Sequence, residues 1–193
     1  MPRSVFLGAA LAASCWCAAP VQAAPDVQVF STQVPKMEVD QAQDAWCNAL
    51  VTISAAYQAG GFEAAKAKAG AVIDAAYAYQ YGPVAFKPTL ALGDSTFRPT
   101  REGALAYFVG PDPDIAAFGD NQGFATYRHW TECEVDNEIV QLLGDTVNTM
   151  GLVTITDSNG DSSVVEKTWS YLRDRDGSLR IVLHHSSVPV DAR

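Results

Sequence analysis

The sequence lacks most of the signatures by which an enzyme is identified from a single chain. It contains no G-x-S-x-G, H-E-x-x-H, P-loop or G-x-G-x-x-G motif, and no C-x-x-C pair. Histidine occurs at three positions, His129, His184 and His185. Any catalytic dyad that uses histidine must draw on these three residues, and the motifs alone identify no reaction.

Basic residues are also scarce. The 193 residues include 13 Lys and Arg against 22 Asp and Glu, which gives a formal net charge of −9. A chain this acidic is repelled by the phosphates of nucleic acids and by anionic lipid headgroups. We therefore expect neither nucleic acid nor a membrane surface as a partner, whereas an enzyme and a binding module are equally compatible with the charge.

Residues 1–23 are typical of a secretory signal peptide. Residues 1–3 carry a positive charge, residues 5–19 are apolar, and residues 21–23 (Val-Gln-Ala) match a small-residue cleavage site. The apolar run is too short to remain as a membrane-spanning helix. We predict cleavage after Ala23 and a periplasmic or secreted protein. The alternative is a lipoprotein signal in which Cys15 is lipidated.

Cleavage at that site leaves two of the four cysteines, Cys47 and Cys133. Two cysteines in an exported chain form a candidate disulfide. The alternative is that each is buried separately as a free thiol.

The first half of the chain predicts a linker followed by a helical hairpin. Residues 24–38 contain two prolines and show no periodicity, which indicates a linker. Asp40 with Gln43 three residues later resembles a capping box, and apolar residues at helical spacing follow. Gly60-Gly61 ends this helix and precedes a second one.

The second half predicts a sheet. A short edge strand lies around residues 84–86, Thr100 caps a short helix, and residues 111–123 form a surface loop. From Phe124 onward the hydrophobic period is two, and the predicted strands span about 124–136, then 138–144 with 146–156 as one long bent strand, then 163–173 and 179–187. We predict one α+β domain, residues 39–191, with helices packed on an antiparallel sheet.

Residues 157–161 (Asp-Ser-Asn-Gly-Asp) begin like a calcium-binding loop. Ser162 stands where that loop requires glycine, and Thr168 where it requires a bidentate glutamate. The segment is therefore interpreted as a hairpin turn, and no metal site is predicted.

The last predicted strand is apolar at its start and carries His184, His185, Ser186 and Ser187 at its end. Neighbouring residues of a strand face opposite sides, so at most one of the two histidines points into a pocket, and the pair cannot chelate one metal ion. The inward histidine either acts on a ligand, as hydrogen-bonding group or proton carrier, or holds the strand end by a backbone hydrogen bond.

Four stretches of the chain resemble the nuclear transport factor 2-like superfamily. The likeness is to the association domain of calcium/calmodulin-dependent protein kinase II and to its bacterial SnoaL-like relatives. The stretches are Ala-Gly-Gly-Phe-Glu at 59–63, Val-Ala-Phe-Lys-Pro at 84–88, the segment 142–156, and the closing strand at 176–189.

The resemblance implies a cone-shaped α+β fold in which three helices are wrapped by a strongly bent antiparallel sheet. It also implies a pocket at the open end of the cone and a homodimer that forms through the sheet. The association domain tends to carry a basic residue where this chain has Ser186, and Thr154 and Trp169 on the neighbouring strands are not basic either. We therefore expect a neutral or weakly polar ligand rather than a strongly bound anion.

The sequence thus predicts an exported domain that binds a small molecule or oligomerises, without a cofactor. The alternative is a small pocket enzyme of the hydrolase or isomerase type, with the inward histidine as general base and Glu166 or a serine as its partner. A third possibility is an interaction domain with a vestigial pocket.

Charged residues placed near the pocket mouth are Lys87 and Glu166. The residues predicted to bind the ligand are Phe86, Trp130, Trp169, His184, His185 and Ser186.

Overall fold

Two helices pack against an open five-stranded sheet in the computed structural model, which describes residues 33–110 and 122–190. The α+β class predicted from the sequence is therefore confirmed. The predicted signal peptide, residues 24–32 of the predicted linker, and most of the predicted loop at 111–123 lie outside the described residues. The elements are α1 (Lys36–Ala76), β1 (Ala85–Lys87), a 3₁₀ turn (Gly93–Ser95), α2 (Arg101–Val109), β2 (Trp130–Leu143), β3 (Thr146–Asp157), β4 (Ser162–Arg173) and β5 (Leu179–Ser187).

Helix α1 is broken at Gly61, as its sequence predicted. The backbone there has φ 68° and ψ −159°, a conformation that residues with a side chain rarely adopt. The predicted capping box at Asp40 is wrong, because the helix begins earlier, at Lys36, directly after Pro35. Gln43 is instead buried, and its side-chain amide donates to Asn137 and Thr149 in the sheet.

The folded part also begins earlier than the predicted linker end at residue 38. Val34 is completely buried, and its backbone N–H donates to the carbonyl oxygen of Gly144 at 2.8 Å. Thr100 caps α2 as predicted, because its hydroxyl accepts from the N–H of Gly103. No helix within the described ranges is long and apolar enough to cross a membrane.

The strands lie in the order β1-β5-β4-β3-β2. Strand β1 runs parallel to β5 and the other pairs are antiparallel, so the sheet is mixed rather than purely antiparallel. The long bent strand predicted over 138–144 and 146–156 is wrong. These residues form the hairpin of β2 and β3, which turns at Gly144 with φ 74°. Strand β2 begins at Trp130 rather than at Phe124.

A disulfide joins Cys47 on α1 to Cys133 on β2, and their Cα atoms are 5.2 Å apart. The pairing is the one that the sequence favoured over two free thiols. The two cysteines are 86 residues apart in the sequence, and the bond links the helix to β2, the strand at one edge of the sheet. Such a link stabilises the folded state mainly by restricting the unfolded chain.

The acidic segment at 157–161 is a hairpin turn, as interpreted from its sequence. A side-chain oxygen of Asp157 accepts the backbone N–H groups of Asn159 at 2.9 Å and Asp161 at 3.2 Å. The carboxylate therefore stabilises the turn between β3 and β4.

Candidate functional site

An irregularity in β5 decides which histidine faces the core. Tyr171 pairs with Ile181 while the preceding Ser170 pairs with Leu183, so Val182 is an extra residue without a partner on β4. A regular strand would place Ile181 and His184 on opposite faces. The extra residue brings both to the buried face, where His184 is 1% exposed, while His185 is exposed. The prediction that at most one histidine points inward is confirmed.

His184 uses both ring nitrogens in buried hydrogen bonds. Its Nδ1 lies 2.9 Å from the hydroxyl oxygen of Tyr77, and its Nε2 lies 2.8 Å from Nζ of Lys167. The indole Nε1 of Trp46 donates to the same Tyr77 hydroxyl at 3.1 Å. We call Trp46, Tyr77, Lys167 and His184 the histidine network. It joins α1, β4 and β5, and it replaces the backbone hydrogen bond considered as the alternative role of this histidine.

Lys167 is an ionisable side chain buried among aromatic rings, which is unusual for a lysine. It is 4% exposed, and its Nζ lies 4.4 Å from the ring centroid of Trp46 and 5.7 Å from those of Phe124 and Trp169. Within the part of the chain that the structure describes, no Asp or Glu forms an ion pair with it. Removal from water disfavours the charged amine and lowers the pKa of Lys167 to about 7.

His184 is kept neutral by its surroundings. Burial lowers its pKa well below the usual value, and the nearby Lys167 and His185 lower it further. The ring stacks on Phe86 at 4.6 Å and packs 5.5 Å from Trp169. A neutral imidazole with both nitrogens engaged is suited to hold its neighbours in place rather than to exchange protons with a ligand.

Three side-chain hydroxyls meet next to this network. Ser186 is 1% exposed and follows His184 on the same face of β5. Its hydroxyl contacts that of Thr89, and Thr89 in turn interacts with the hydroxyl of buried Tyr107 on α2. Burial raises the pKa of Tyr107, so its hydroxyl stays protonated. We call Thr89, Tyr107 and Ser186 the hydroxyl cluster.

Strand pairing sets the hydroxyl cluster beside the histidine network. Lys167 on β4 is the direct antiparallel partner of Ser186 on β5, and both point to the core. Phe86 lies between the two groups, with its ring 5.6 Å from that of Tyr107 and stacked on His184. Lys87 on β1 also contacts this group of residues, because its Nζ donates to the backbone carbonyl oxygen of Ser186 at 3.0 Å.

The structure brings together four of the six residues predicted to bind a ligand: Phe86, Trp169, His184 and Ser186. Trp130 is buried, but its indole donates to the carbonyl of Phe124, and it belongs to a neighbouring aromatic cluster. His185 is exposed on the other face of β5.

Glu166 and Lys87 were the charged residues placed near the pocket. Glu166 is exposed and accepts a hydrogen bond from Ser187, so it does not contact His184. Sequence analysis missed Lys167, Tyr77, Thr89 and Tyr107. A signal for Lys167 exists, because it alternates with Val165 and Trp169 and so falls on the core face of β4.

A groove of about 790 Å³ lies alongside the histidine network. Its wall includes Tyr77 and Tyr79 together with two arginines that are already ion-paired, Arg101 with Asp74 and Arg180 with Asp174. The arginines of the groove are therefore already neutralised by neighbouring carboxylates. Among residues 33–110 and 122–190, no three His, Cys, Asp or Glu side chains converge as ligands for a metal ion.

The chain is similar over most of its length to proteins of one family. The sequence model of the family described as metal-independent carbonic anhydrase matches residues 37–188. The metal-independent carbonic anhydrase of Nostoc sp. (strain PCC 7120 / SAG 25.82 / UTEX 2576) is 50% identical over 163 residues, 84% of this chain and 78% of the relative.

Solved structures agree with this assignment. The crystal structure of the iota-carbonic anhydrase from a cyanobacterium, complexed with bicarbonate, has a TM-score of 0.81 and 48% identity, and the match covers 86% of this chain and 99% of that chain. A putative calcium/calmodulin-dependent protein kinase II association domain from Xanthomonas campestris has a TM-score of 0.56 at 24% identity, over 89% of this chain and 100% of that chain. The latter shows the fold, and the predicted resemblance to the nuclear transport factor 2-like superfamily is confirmed.

Proposed function

We propose that this chain, which belongs to the metal-independent carbonic anhydrase family, catalyses the reversible hydration of carbon dioxide to bicarbonate at the hydroxyl cluster. The observation that carries the proposal is the convergence of three hydroxyls, from buried Tyr107 and Ser186 and half-buried Thr89, beside a buried amine. Its further support is the family itself, together with the bicarbonate complex of the similar cyanobacterial enzyme.

The hydroxyl cluster has the chemistry that bicarbonate requires. Each hydroxyl of Thr89, Tyr107 and Ser186 can donate one hydrogen bond and accept others, so the cluster can serve both the negative oxygens and the O–H of bicarbonate. Carbon dioxide is apolar, and the surroundings of the cluster are largely aromatic, with Phe86 and Trp169 packed around His184. In the proposed hydration reaction the substrate, CO₂, is a neutral small molecule.

The product is an anion, which the sequence did not favour. That expectation considered the positions of Ser186, Thr154 and Trp169, where no basic residue stands. Lys167 lies on the core face of β4, directly opposite Ser186. In its protonated form it can compensate the charge of bicarbonate within a buried site, where electrostatic interactions are stronger than in water.

Hydration needs a water oxygen to attack the carbon of CO₂. As the C–O bond forms, one electron pair of a C=O bond moves to its oxygen, and the attacking water loses a proton. Hydroxyl donors that are already fixed in place stabilise the developing negative charge, because they need not reorient during the reaction. In this mechanism Thr89, Tyr107 and Ser186 stabilise the oxygens, and His184 orients the neighbouring side chains.

The proposal is tested with two adjacent serines. Ser186→Ala removes a buried hydroxyl of the cluster, whereas Ser187→Ala removes a hydroxyl that bonds to Glu166 outside it. Loss of one such donor typically slows a reaction by roughly 100-fold. In stopped-flow CO₂ hydration followed with a pH indicator, we expect that loss for Ser186→Ala and wild-type rates for Ser187→Ala. Equal activity of the two variants would contradict the proposed site.

We also propose that the chain is exported through residues 1–23 and forms a homodimer through the outer face of the sheet. Support for the dimer comes from four large apolar side chains that are 40–55% exposed there, and from the dimer implied by the resemblance. We call them the outer-face patch: Ile139, Met150, Leu152 and Val164.

A further inference from the structure

We propose that Lys167, positioned by His184, accepts the proton that the attacking water loses during hydration. This inference rests on the proposed function and assigns one step of it. The sequence analysis considered a histidine paired with Glu166 or a serine for that role. The structure favours the amine of Lys167 on three grounds: its position, its electrostatic environment and its hydrogen bonding.

The position follows from strand pairing. Directly opposed residues of an antiparallel pair have Cβ atoms roughly 5 Å apart, and Lys167 is opposed to Ser186 on the buried face. A water molecule and CO₂ held at the hydroxyl of Ser186 therefore lie beside the side chain of Lys167. Glu166, by contrast, points to the exposed face of β4.

The environment keeps the amine able to accept a proton. The groups that face it are the ring of Trp46 from α1, the ring of Phe124, the ring of Trp169 on its own strand, and His184 on β5. All are uncharged near neutral pH, because His184 is itself held neutral. Tyr77 lies behind His184, and burial raises its pKa well above the usual value, so it is also uncharged.

The same aromatic rings stabilise the protonated form of Lys167. An ammonium within about 6 Å of an aromatic centroid is stabilised by the electron-rich face of the ring, and three rings lie within that distance of Nζ. Burial lowers the pKa of Lys167 to about 7. A general base is most effective when its pKa lies near the working pH.

Hydrogen bonding explains why His184 positions rather than reacts. An amine can donate one N–H to Nε2 of His184 both before and after it gains a proton, and its lone pair is free in the neutral form. With Nε2 as acceptor, Nδ1 carries the hydrogen and donates to the oxygen of Tyr77, which also accepts from Trp46. His184 thereby holds Lys167 by one bond while its other nitrogen is bonded to Tyr77, which directly follows α1.

The step balances without any further reactant. Neutral Lys167, water and CO₂ give the ammonium form of Lys167 and bicarbonate. The O–H bond of water breaks, its proton forms the new N–H bond, and the oxygen forms the new C–O bond. The ammonium then returns its proton to solvent or buffer, and in the dehydration direction it supplies the proton instead.

The test compares Lys167→Met, Lys167→Arg and Lys68→Met in stopped-flow hydration between pH 5.5 and 9. Methionine keeps the length of the side chain without a base, arginine keeps the charge but does not lose it, and Lys68 is exposed on α1. We expect kcat to fall roughly 100-fold or more in both Lys167 variants, as for loss of a general base. Lys68→Met should match the wild type. Far-ultraviolet circular dichroism serves as the control for the folding of each variant.

The pH profile separates this role from a structural one. For the wild type we expect kcat/KM for hydration to rise through a midpoint near pH 7, and this rise should vanish in Lys167→Met. His184→Asn keeps a hydrogen-bonding group and should shift the midpoint without abolishing the rise. If Lys167→Met retains both the rate and the pH-dependent rise, the proton-accepting role is overturned while the proposed function stands. A wild-type protein without any hydration activity would overturn the proposed function, and this inference with it.

Discussion

Burial of the Lys167 amine lowers the stability of the folded protein at neutral pH and below. The pKa of this side chain is about 7 in the folded state and about 10.4 in an unfolded chain. Between these pH values the unfolded chain holds a proton that the folded protein has released. The contribution of Lys167 to the free energy of unfolding therefore rises with pH in this window and is lowest below pH 7, where the amine is protonated in both states.

Replacement of Lys167 by methionine should remove this dependence. Urea unfolding between pH 7 and 9.5 is expected to show the Lys167→Met protein as more stable than the wild type at pH 7. This advantage should shrink by up to about 1.4 kcal/mol for each pH unit as the wild type gains stability. Lys68→Met serves as the control and should follow the wild type. A constant difference between Lys167→Met and the wild type across the window would show that Lys167 is not neutral in the folded protein.

Strand alternation predicted that only one of His184 and His185 would point inward but did not indicate which of the two. The choice depends on Val182, the extra residue in β5, and an irregularity of this kind leaves no pattern in a run of β-favouring residues. Lys167 was missed for another reason. A lone lysine in an alternating strand usually lies on the exposed face, and its burial depends on an aromatic cage assembled from distant parts of the chain.

Helix α1 shows how a single backbone position shapes an element. Its two segments meet at Gly61, where φ is 68° and ψ is −159°. This combination is accessible almost only to glycine, and it lets the chain change direction so that both segments cover the sheet.

Gly61→Ala should therefore lower the free energy of unfolding by about 1–3 kcal/mol, the usual cost of forcing a side chain into such a conformation. No neighbouring atom lies within 4 Å of the added Cβ, so the loss would reflect backbone strain alone. Ala67→Ser, at an exposed site on the second segment, should change it by no more than about 0.5 kcal/mol. A Gly61→Ala protein as stable as the wild type in urea would show that α1 tolerates a different geometry at this point.

Element boundaries were predicted well where a glycine or a cap marks them. The break in α1, the cap at Thr100 and the turn after Asp157 were all identified. The β2–β3 hairpin was missed, because apolar residues continue at period two on both sides of Gly144-Asp145 and the turn resembles a bend within one strand. Its glycine with positive φ is a common feature of two-residue hairpin loops.

For the whole molecule, the outer-face patch is the surface at which the proposed homodimer is tested. Leu152→Lys introduces a charge at its centre, where burial against a second copy would be costly. Sedimentation equilibrium should show a dimer for the wild type and a monomer for Leu152→Lys. Leu92→Lys, at an apolar side chain that is 81% exposed outside the sheet, should remain dimeric. A monomeric wild type, or a dimeric Leu152→Lys protein, would contradict this interface.

The fold of the whole molecule was the part most accessible from the sequence. Helices followed by strands, together with the four family-like stretches, predicted the α+β class and a fold like that of the kinase association domain correctly. The reaction was not accessible, because the hydroxyl cluster combines residues from three separate parts of the chain: Thr89, Tyr107 and Ser186. No local motif marks them, and only the packing of α2 and the segment after β1 onto β5 brings them together.

The measurement that tests the central claim most directly is oxygen-18 exchange between carbon dioxide and water at chemical equilibrium, followed by membrane-inlet mass spectrometry. It detects interconversion of CO₂ and bicarbonate without a pH indicator or a net change in concentration. The account predicts that the wild-type protein and Ser187→Ala accelerate the loss of the label, and that Ser186→Ala retains about 1% of that rate. Loss of the label at the rate of buffer alone with wild-type protein would contradict it.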